Sequence, residues 1–367
     1  MSEQPKVTRR HVLLGGVAVA AMALAPSVFD DTPTAHAMPS SRRKYHYSIN
    51  PASNAHRYGW LETPSSTSSA VPVAILIHGG AWESEGGPAS MRFLSEFLCQ
   101  YGVACGKIEY RALGSGGGWP TTYADVCDAI DHLIALKLSV APKLDLDRVY
   151  IVGHSAGAQL GALAMGQSPR KIDAMGLLMN TPLLRLTTES LQLADLRGDI
   201  SLKGGNKDTV QHELVGTGNS AGRATVAPEG PRIPIRGFVS LNGVLDVVDS
   251  AKRSKFSNIR MFLGGTPAEV PGNYAAANPI RHIPANKKML LVQGTRDYVI
   301  PQGQVTRYGA AASRYGNAVT YLTLQGAKHN DVLLPWRNPE AYQAVTKALA
   351  HFMGAKSTPK KSRRLFD

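Results

Sequence analysis

Short apolar runs alternate with amphipathic stretches along most of this chain. Runs near 73–77, 103–109, 149–152, 236–241, 288–293 and 318–322 read as strands. Val71-Pro72-Val73-Ala74-Ile75-Leu76-Ile77 is typical: continuous, apolar and β-branched toward its end, as a strand buried on both faces must be. Helical spacing covers about 88–101, 121–138, 156–166, 303–315 and 338–353. This alternation predicts an α/β protein with a mostly parallel central sheet and helices on both faces. One interval, 168–234, breaks the rhythm. Its first part, Met175 to Met179, is apolar, and Gly198 to Pro234 is polar and Gly-rich. Loops this long inside a compact domain are usually functional or mobile. The interval is therefore expected to be a cap-like insert, with a plain surface excursion as the alternative. No internal repeat is present.

Chemistry concentrates at the ends of the apolar runs. Val149-Tyr150-Ile151-Val152 leads into Gly153-His154-Ser155-Ala156-Gly157, and a helical stretch follows. A strand, a Gly-x-Ser-x-Gly turn and a helix make a nucleophile elbow, whose tight bend lifts the serine hydroxyl clear of the backbone. Outside that context Ser155 would read as a helix cap. Upstream, the strand ending at Ile77 runs into His78-Gly79-Gly80-Ala81-Trp82. Attack on a carbonyl creates a negative oxygen, and backbone N–H groups must reach it from a loop free of side chains. Paired glycines after a strand meet that need; alone they would read as an ordinary turn.

His78-Gly79-Gly80-Ala81-Trp82 together with Gly153-His154-Ser155-Ala156-Gly157 resembles the α/β-hydrolase superfamily. The nearest branch holds hormone-sensitive-lipase-like, kynurenine-formamidase-like and feruloyl-esterase-like serine esterases. Glu109-Tyr110-Arg111, Trp119-Pro120 and Asp125 are similar to that branch's link between oxyanion loop and elbow. The resemblance covers roughly 70–165 and 235–353, and departs from the pattern at Ala81, where a third glycine is usual. It implies an α/β-hydrolase fold and an acid and a base following the serine in that order. Asp297, after the run Lys288 to Gln293 and before Tyr298-Val299-Ile300-Pro301, is similar to the family's acid loop. His329, in Gly326-Ala327-Lys328-His329-Asn330 before the last helix, sits where the family's base sits.

The expected mechanism is two-step acyl transfer by Ser155, with His329 as base and Asp297 orienting it. The N–H groups of Gly79, Gly80 and Ala156 are the expected oxyanion hole. Trp82 and Trp119 are candidate pocket residues. No cofactor or metal is expected, because no Cys, His and carboxylate cluster has ligand spacing. The expected substrate is a small-molecule ester of small to medium acyl or aryl type. The same triad would also serve an amidase, a formamidase or a peptidase. A non-catalytic binding protein on this fold would normally have lost one of the three residues.

Thr8-Arg9-Arg10-His11 opens a Gly/Ala-rich apolar run ending at Ala25, and Ala35-His36-Ala37 fits a cleavage site. Residues 1–37 therefore read as a signal peptide, of twin-arginine type by its paired arginines; Val12, where that type usually has Phe, keeps the ordinary secretory route as an alternative, and an uncleaved membrane anchor is the other. The signal peptide implies export to a periplasmic or extracellular place, and leaves 38–355 as the catalytic domain and 356–367 as a basic tail. Cys99, Cys105 and Cys127 are an odd set in apolar context. They read as buried thiols, with one Cys99–Cys105 disulfide as an option. The net charge is +13. Arg42-Arg43-Lys44 and the tail supply more than half of it, and are expected to be loose ends. Without interleaved aromatic residues, nucleic acid is not an expected partner. Loose association with an anionic cell envelope is one use of the charge, and solubility the plainer one. Gly114-Ser115-Gly116-Gly117-Gly118 lacks a P-loop's Lys and is expected to be a flexible loop at the pocket edge. Oligomeric state is not legible.

Overall fold

A computed structural model describes residues 41–48, 55–64, 69–83, 87–169, 229–252 and 257–355. The signal peptide, most of the 168–234 insert and the 356–367 tail lie outside the described residues. Eight strands form one sheet: β1 (Ser41–His46), β2 (Tyr58–Thr63), β3 (Val71–Ile77), β4 (Ala104–Ile108), β5 (Leu144–His154), β6 (Ile235–Leu241), β7 (Lys288–Gly294) and β8 (Ala318–Leu324). Their order is β1-β2-β4-β3-β5-β6-β7-β8. β1 and β2 are antiparallel to their neighbours and all other pairs are parallel.

The period of two along the central strands sorts their side chains to two cores. Val73, Ile75 and Ile77 face one cluster, and Ala74 and Leu76 the other. The first is closed by α2 (Thr121–Asp131), α3 (Leu133–Ser139), α4 (Ala156–Gly166) and α8 (Gln302–Arg314). Three short helices add to it: α5 (Val247–Ala251), α6 (Ser257–Leu263) and α7 (Pro271–Ala277). The second is closed by α1 (Arg92–Gln100) and α9 (Pro339–Phe352). α9 starts where Asn338 accepts from the Ala341 N–H at 3.1 Å and Pro339 occupies the first turn, which needs no donor there.

Two expectations change. Arg42-Arg43-Lys44 is not a loose end but lies in β1, paired along β2. Arg42 donates to Glu62 at 2.6 Å, and Lys107 donates to the same carboxylate at 2.7 Å. Burial alone would raise the Glu62 pKa, but Lys107, Ser95 and Arg42 pull it below its ordinary value. The Cys99–Cys105 disulfide does not form: all three cysteines are buried free thiols. The stretch Gly114 to Gly118 is a turn anchored at its C-terminal end, with Gly114 and Gly116 exposed. A Cβ on Gly117 would lie 2.1 Å from the Arg111 carbonyl, and the Gly118 N–H donates to Thr122 at 3.0 Å.

The insert leaves and returns at one point: the Gly230 N–H donates to the Ser168 carbonyl at 2.7 Å, and Pro169 bridges Gly230. Among the described residues no helix is long and apolar enough to cross a membrane.

Candidate active site

Parallel strands release their loops at one edge, and every candidate residue sits there. His78 follows β3, Ser155 follows β5, Asn242 follows β6, Asp297 follows β7 and His329 follows β8. Ser155 has φ 52° and ψ −118°, a conformation that L-residues adopt at a cost of about 1–3 kcal/mol. The glycines around it are there for space. A Cβ on Gly153 would meet the Ala158 Cα at 2.5 Å, and one on Gly157 would meet the Ile77 carbonyl oxygen at 2.3 Å. The end of β6 pins the turn: the Ser155 N–H donates to the Leu241 carbonyl, and the Val244 N–H donates to the Ser155 carbonyl, each at 3.1 Å.

His329 Nδ1 lies 2.9 Å from Asp297 Oδ2. Asp297 is buried, and its other oxygen accepts from the Val299 and Ile300 N–H groups at 2.8 and 2.9 Å. The acid is thus held by its own loop, and the oxygen that meets the histidine also accepts from Gln293 Nε2 at 3.3 Å. The His329 carbonyl is gripped as well. Asn242 Nδ2 donates to it at 2.8 Å, and His154 Nε2 at 3.1 Å. Burial, with His329 nearby, lowers the His154 pKa to about 3, so that ring is neutral and donates from Nε2. The His154 and His329 rings lie 4.8 Å apart, which brings the residue beside Ser155 against the base.

The candidate oxyanion loop, His78 to Trp82, closes over Ser155. A Cβ on Gly79 would lie 2.9 Å from the Ser155 Cβ, so only glycine permits this approach. Gly80 follows at φ 110°, and Ala81 and Trp82 continue at 54° and 61°. Ala156 opens α4, so its N–H has no intrahelical acceptor. Behind the loop, the Tyr110 hydroxyl donates to the His78 carbonyl at 3.0 Å. His78 Nδ1 lies 2.7 Å from the Gly79 carbonyl and Nε2 lies 3.0 Å from Glu109. A carbonyl only accepts, so Nδ1 carries a proton.

Trp82 is 1% exposed, stacks on Phe262 and donates its indole N–H to Gln159 at 3.0 Å. It ties the loop to α4 and leaves little surface for a substrate. Trp119 is partly buried and packs edge-on to the same Phe262. Arg111 clasps the fully buried Asp125 with two bonds of 2.8 and 2.7 Å, which fixes the segment between oxyanion loop and elbow. Sequence reasoning missed Asn242 and Phe262. Asn242, at φ 47° before Gly243, had a turn signal; Phe262 had none. Among the described residues no three His, Cys, Asp or Glu side chains gather where a metal could bind.

An open sheet of this strand order, with a strained serine between the fifth strand and its helix, defines an α/β-hydrolase. A BD-FAE family model matches residues 61–184, and a prolyl oligopeptidase family model matches residues 210–358. A search of curated proteins finds no match. Among solved structures, a bifunctional GH43-CE protein of Bacteroides eggerthii is 20% identical, with a TM-score of 0.60. That match covers 88% of this chain but only 39% of the other. An esterase of Thermogutta terrifontis, Est2, is 19% identical over 85% of this chain and 91% of its own, with a TM-score of 0.56. A truncated carbohydrate esterase from gut microbiota is 18% identical over 87% of this chain and 99% of its own, with a TM-score of 0.59. The fold is that of the α/β-hydrolases, and the two family models match its first and second parts.

Proposed function

We infer that this is an exported hydrolase of carboxylic esters with small to medium acyl or aryl groups, working through an acyl-enzyme. The observation that carries the reading is the 2.9 Å contact between His329 and Asp297 beside the strained elbow serine. Ser155 attacks the carbonyl and His329 takes its proton. Asp297 holds the imidazole through Nδ1, which leaves Nε2 free to act as the base, and stabilises the imidazolium. The Gly79, Gly80 and Ala156 N–H groups receive the oxyanion, each worth about 10²–10³ in rate where such donors have been removed. His329 returns the proton to the leaving alcohol, and water then cleaves the acyl-enzyme.

The BD-FAE match and the esterases among the structural relatives support an ester substrate, and the carbohydrate esterase makes a carbohydrate ester one candidate. The prolyl oligopeptidase match over 210–358 favours a second reading, cleavage of amides or peptides by the same residues. Export rests on Arg9-Arg10, the apolar run to Ala25 and Ala35-His36-Ala37.

Hydrolysis of p-nitrophenyl acetate and butyrate, set against the matching anilides, separates ester from amide. Ser155→Ala should lose turnover and fluorophosphonate labelling while keeping the parent's melting temperature. Labelling that survives in Ser155→Ala would assign the nucleophile elsewhere.

A further inference from the structure

The edge where the parallel strands begin lies opposite the candidate active site and carries a different chemistry. A cavity of about 310 Å³ opens there, at the starts of β6 and β7 and beside β5, lined by Arg236, Lys287, Lys288, Asn286 and Asp147 among others. Three cations and one carboxylate thus contribute to its lining. Among the described residues none of the three has a carboxylate partner. Lys287 Nζ donates to the Ile235 carbonyl at 2.8 Å, which fixes that ammonium at the start of β6. Arg236 and Lys288 are exposed at the starts of their strands.

The last helix returns to this same edge. The Phe352 ring meets Tyr150 edge-on at 5.9 Å, and a Cβ on Gly237, next to Arg236, would lie 2.9 Å from it. Beyond Ala355 the sequence carries Lys356, Lys360, Lys361, Arg363 and Arg364 against the single acid Asp367.

Cations scattered over a surface serve solubility. Cations gathered in a recess repel one another and concentrate a positive potential that an anion relieves. A guanidinium fork beside two ammonium groups suits an oxyanion with several acceptors, phosphate above all. A recess near the lower end of the usual range for ligand pockets, about 300–1,000 Å³, admits one repeat unit of a polymer. The lining has no aromatic side chain on which a base could stack and no large exposed apolar side chain that could enter a lipid surface.

We propose that the strand-start edge is a docking site for a linear phosphate-bearing polymer, with one phosphate seated among Arg236, Lys287 and Lys288. Docked by this edge, the protein turns Ser155 away from the polymer. Docking does not depend on what Ser155 does, so its test leaves activity aside.

The probe is fluorescently labelled inorganic polyphosphate, titrated against the whole protein by anisotropy at several salt concentrations. The parent should bind, and bind less as salt rises. Arg236→Gln with Lys288→Gln should weaken binding at least tenfold and reduce the slope of log K against log salt by about 2, one for each lost contact. A parallel variant ending at Ala355 should still show that difference, because the recess is intact. Thermal melting checks the fold, and Arg236→Gln alone serves if the double variant melts early. The proposal is overturned if the double variant binds as the parent does, or if the shortened chain no longer distinguishes the two. Equal competition by polygalacturonate would overturn the choice of phosphate. Tighter binding to phosphatidylglycerol vesicles than to polyphosphate would reassign the edge to a lipid surface.

Discussion

Tyr110→Phe removes one oxygen from a fully buried ring that stacks on His78 at 4.4 Å. Burial raises the pKa of this phenol, so the hydroxyl keeps its proton and donates. In a trans peptide the C=O and N–H of one unit point opposite ways. Drawing the His78 carbonyl toward Tyr110 at 3.0 Å therefore aims the Gly79 N–H away from Tyr110. His78 Nδ1, 2.7 Å from the Gly79 carbonyl, does the same for the Gly80 N–H. Those two N–H groups are the proposed oxyanion donors. The variant leaves a buried acceptor without its donor, which costs about 1–3 kcal/mol of stability. It frees a donor without deleting it, so kcat should fall roughly 10-fold or more, short of the ~10²–10³ for outright removal. KM should change little, because these donors strengthen only as the oxyanion forms. Steady-state hydrolysis of p-nitrophenyl butyrate and a melting curve read the two effects separately. A melting temperature that drops while kcat stays within about twofold of the parent would refute the orienting role and leave Tyr110 as core packing.

Gly157→Ala places a methyl 2.3 Å from the Ile77 carbonyl oxygen and 2.4 Å from that of His78, both backbone atoms. It should destabilise by at least about 1–3 kcal/mol and lower turnover by moving the end of β3, read by chemical denaturation and ester assay; a neutral result would mean the elbow has slack. Burial lowers the pKa of His132 to about 4 and of His154 to about 3, from 6.5. Both stay neutral when folded, so between about pH 6.5 and 4 the unfolded chain binds more protons and stability falls with pH. His132→Phe, which keeps an aromatic ring against Tyr45, should flatten that fall by up to about 1.4 kcal/mol per pH unit; an unchanged slope would show that His132 is charged in the fold.

The parts legible in the sequence are those where geometry restricts residue choice. A Cβ at Gly153, Gly157 or Gly79 would strike backbone or a neighbouring side chain within 3 Å, so the turns announce themselves in the sequence. The buried parallel strands announce themselves as unbroken apolar runs. β1 and β2 do not, because they form one edge of the sheet and carry charges. Glu62 and Lys107 look like solvent residues, yet both are buried and bonded to each other. α5, α6 and α7 span five to seven residues each, too short for a helical period to show. The three cysteines share apolar context in the sequence, but nothing local decides between thiol and disulfide.

Asn242 shows why the rest of the site had to wait for the fold. It lies far along the chain from both Ser155 and His329, and no motif includes it. Yet from the end of β6 it reaches the end of β7 and the loop after β8. Its backbone N–H donates to the Val292 carbonyl at 3.0 Å, Oδ1 accepts from the Gly294 N–H at 2.9 Å, and Nδ2 reaches the His329 carbonyl at 2.8 Å. Its neighbour Leu241 accepts the Ser155 N–H. The loops bearing serine, acid and histidine are therefore referenced to one point at the end of β6. A rigid common reference keeps three loops in register where small misplacements are costly. Such a reference follows from strand order, which places β6 between the serine strand and the acid strand. It is a property of the sheet before it is a property of any residue.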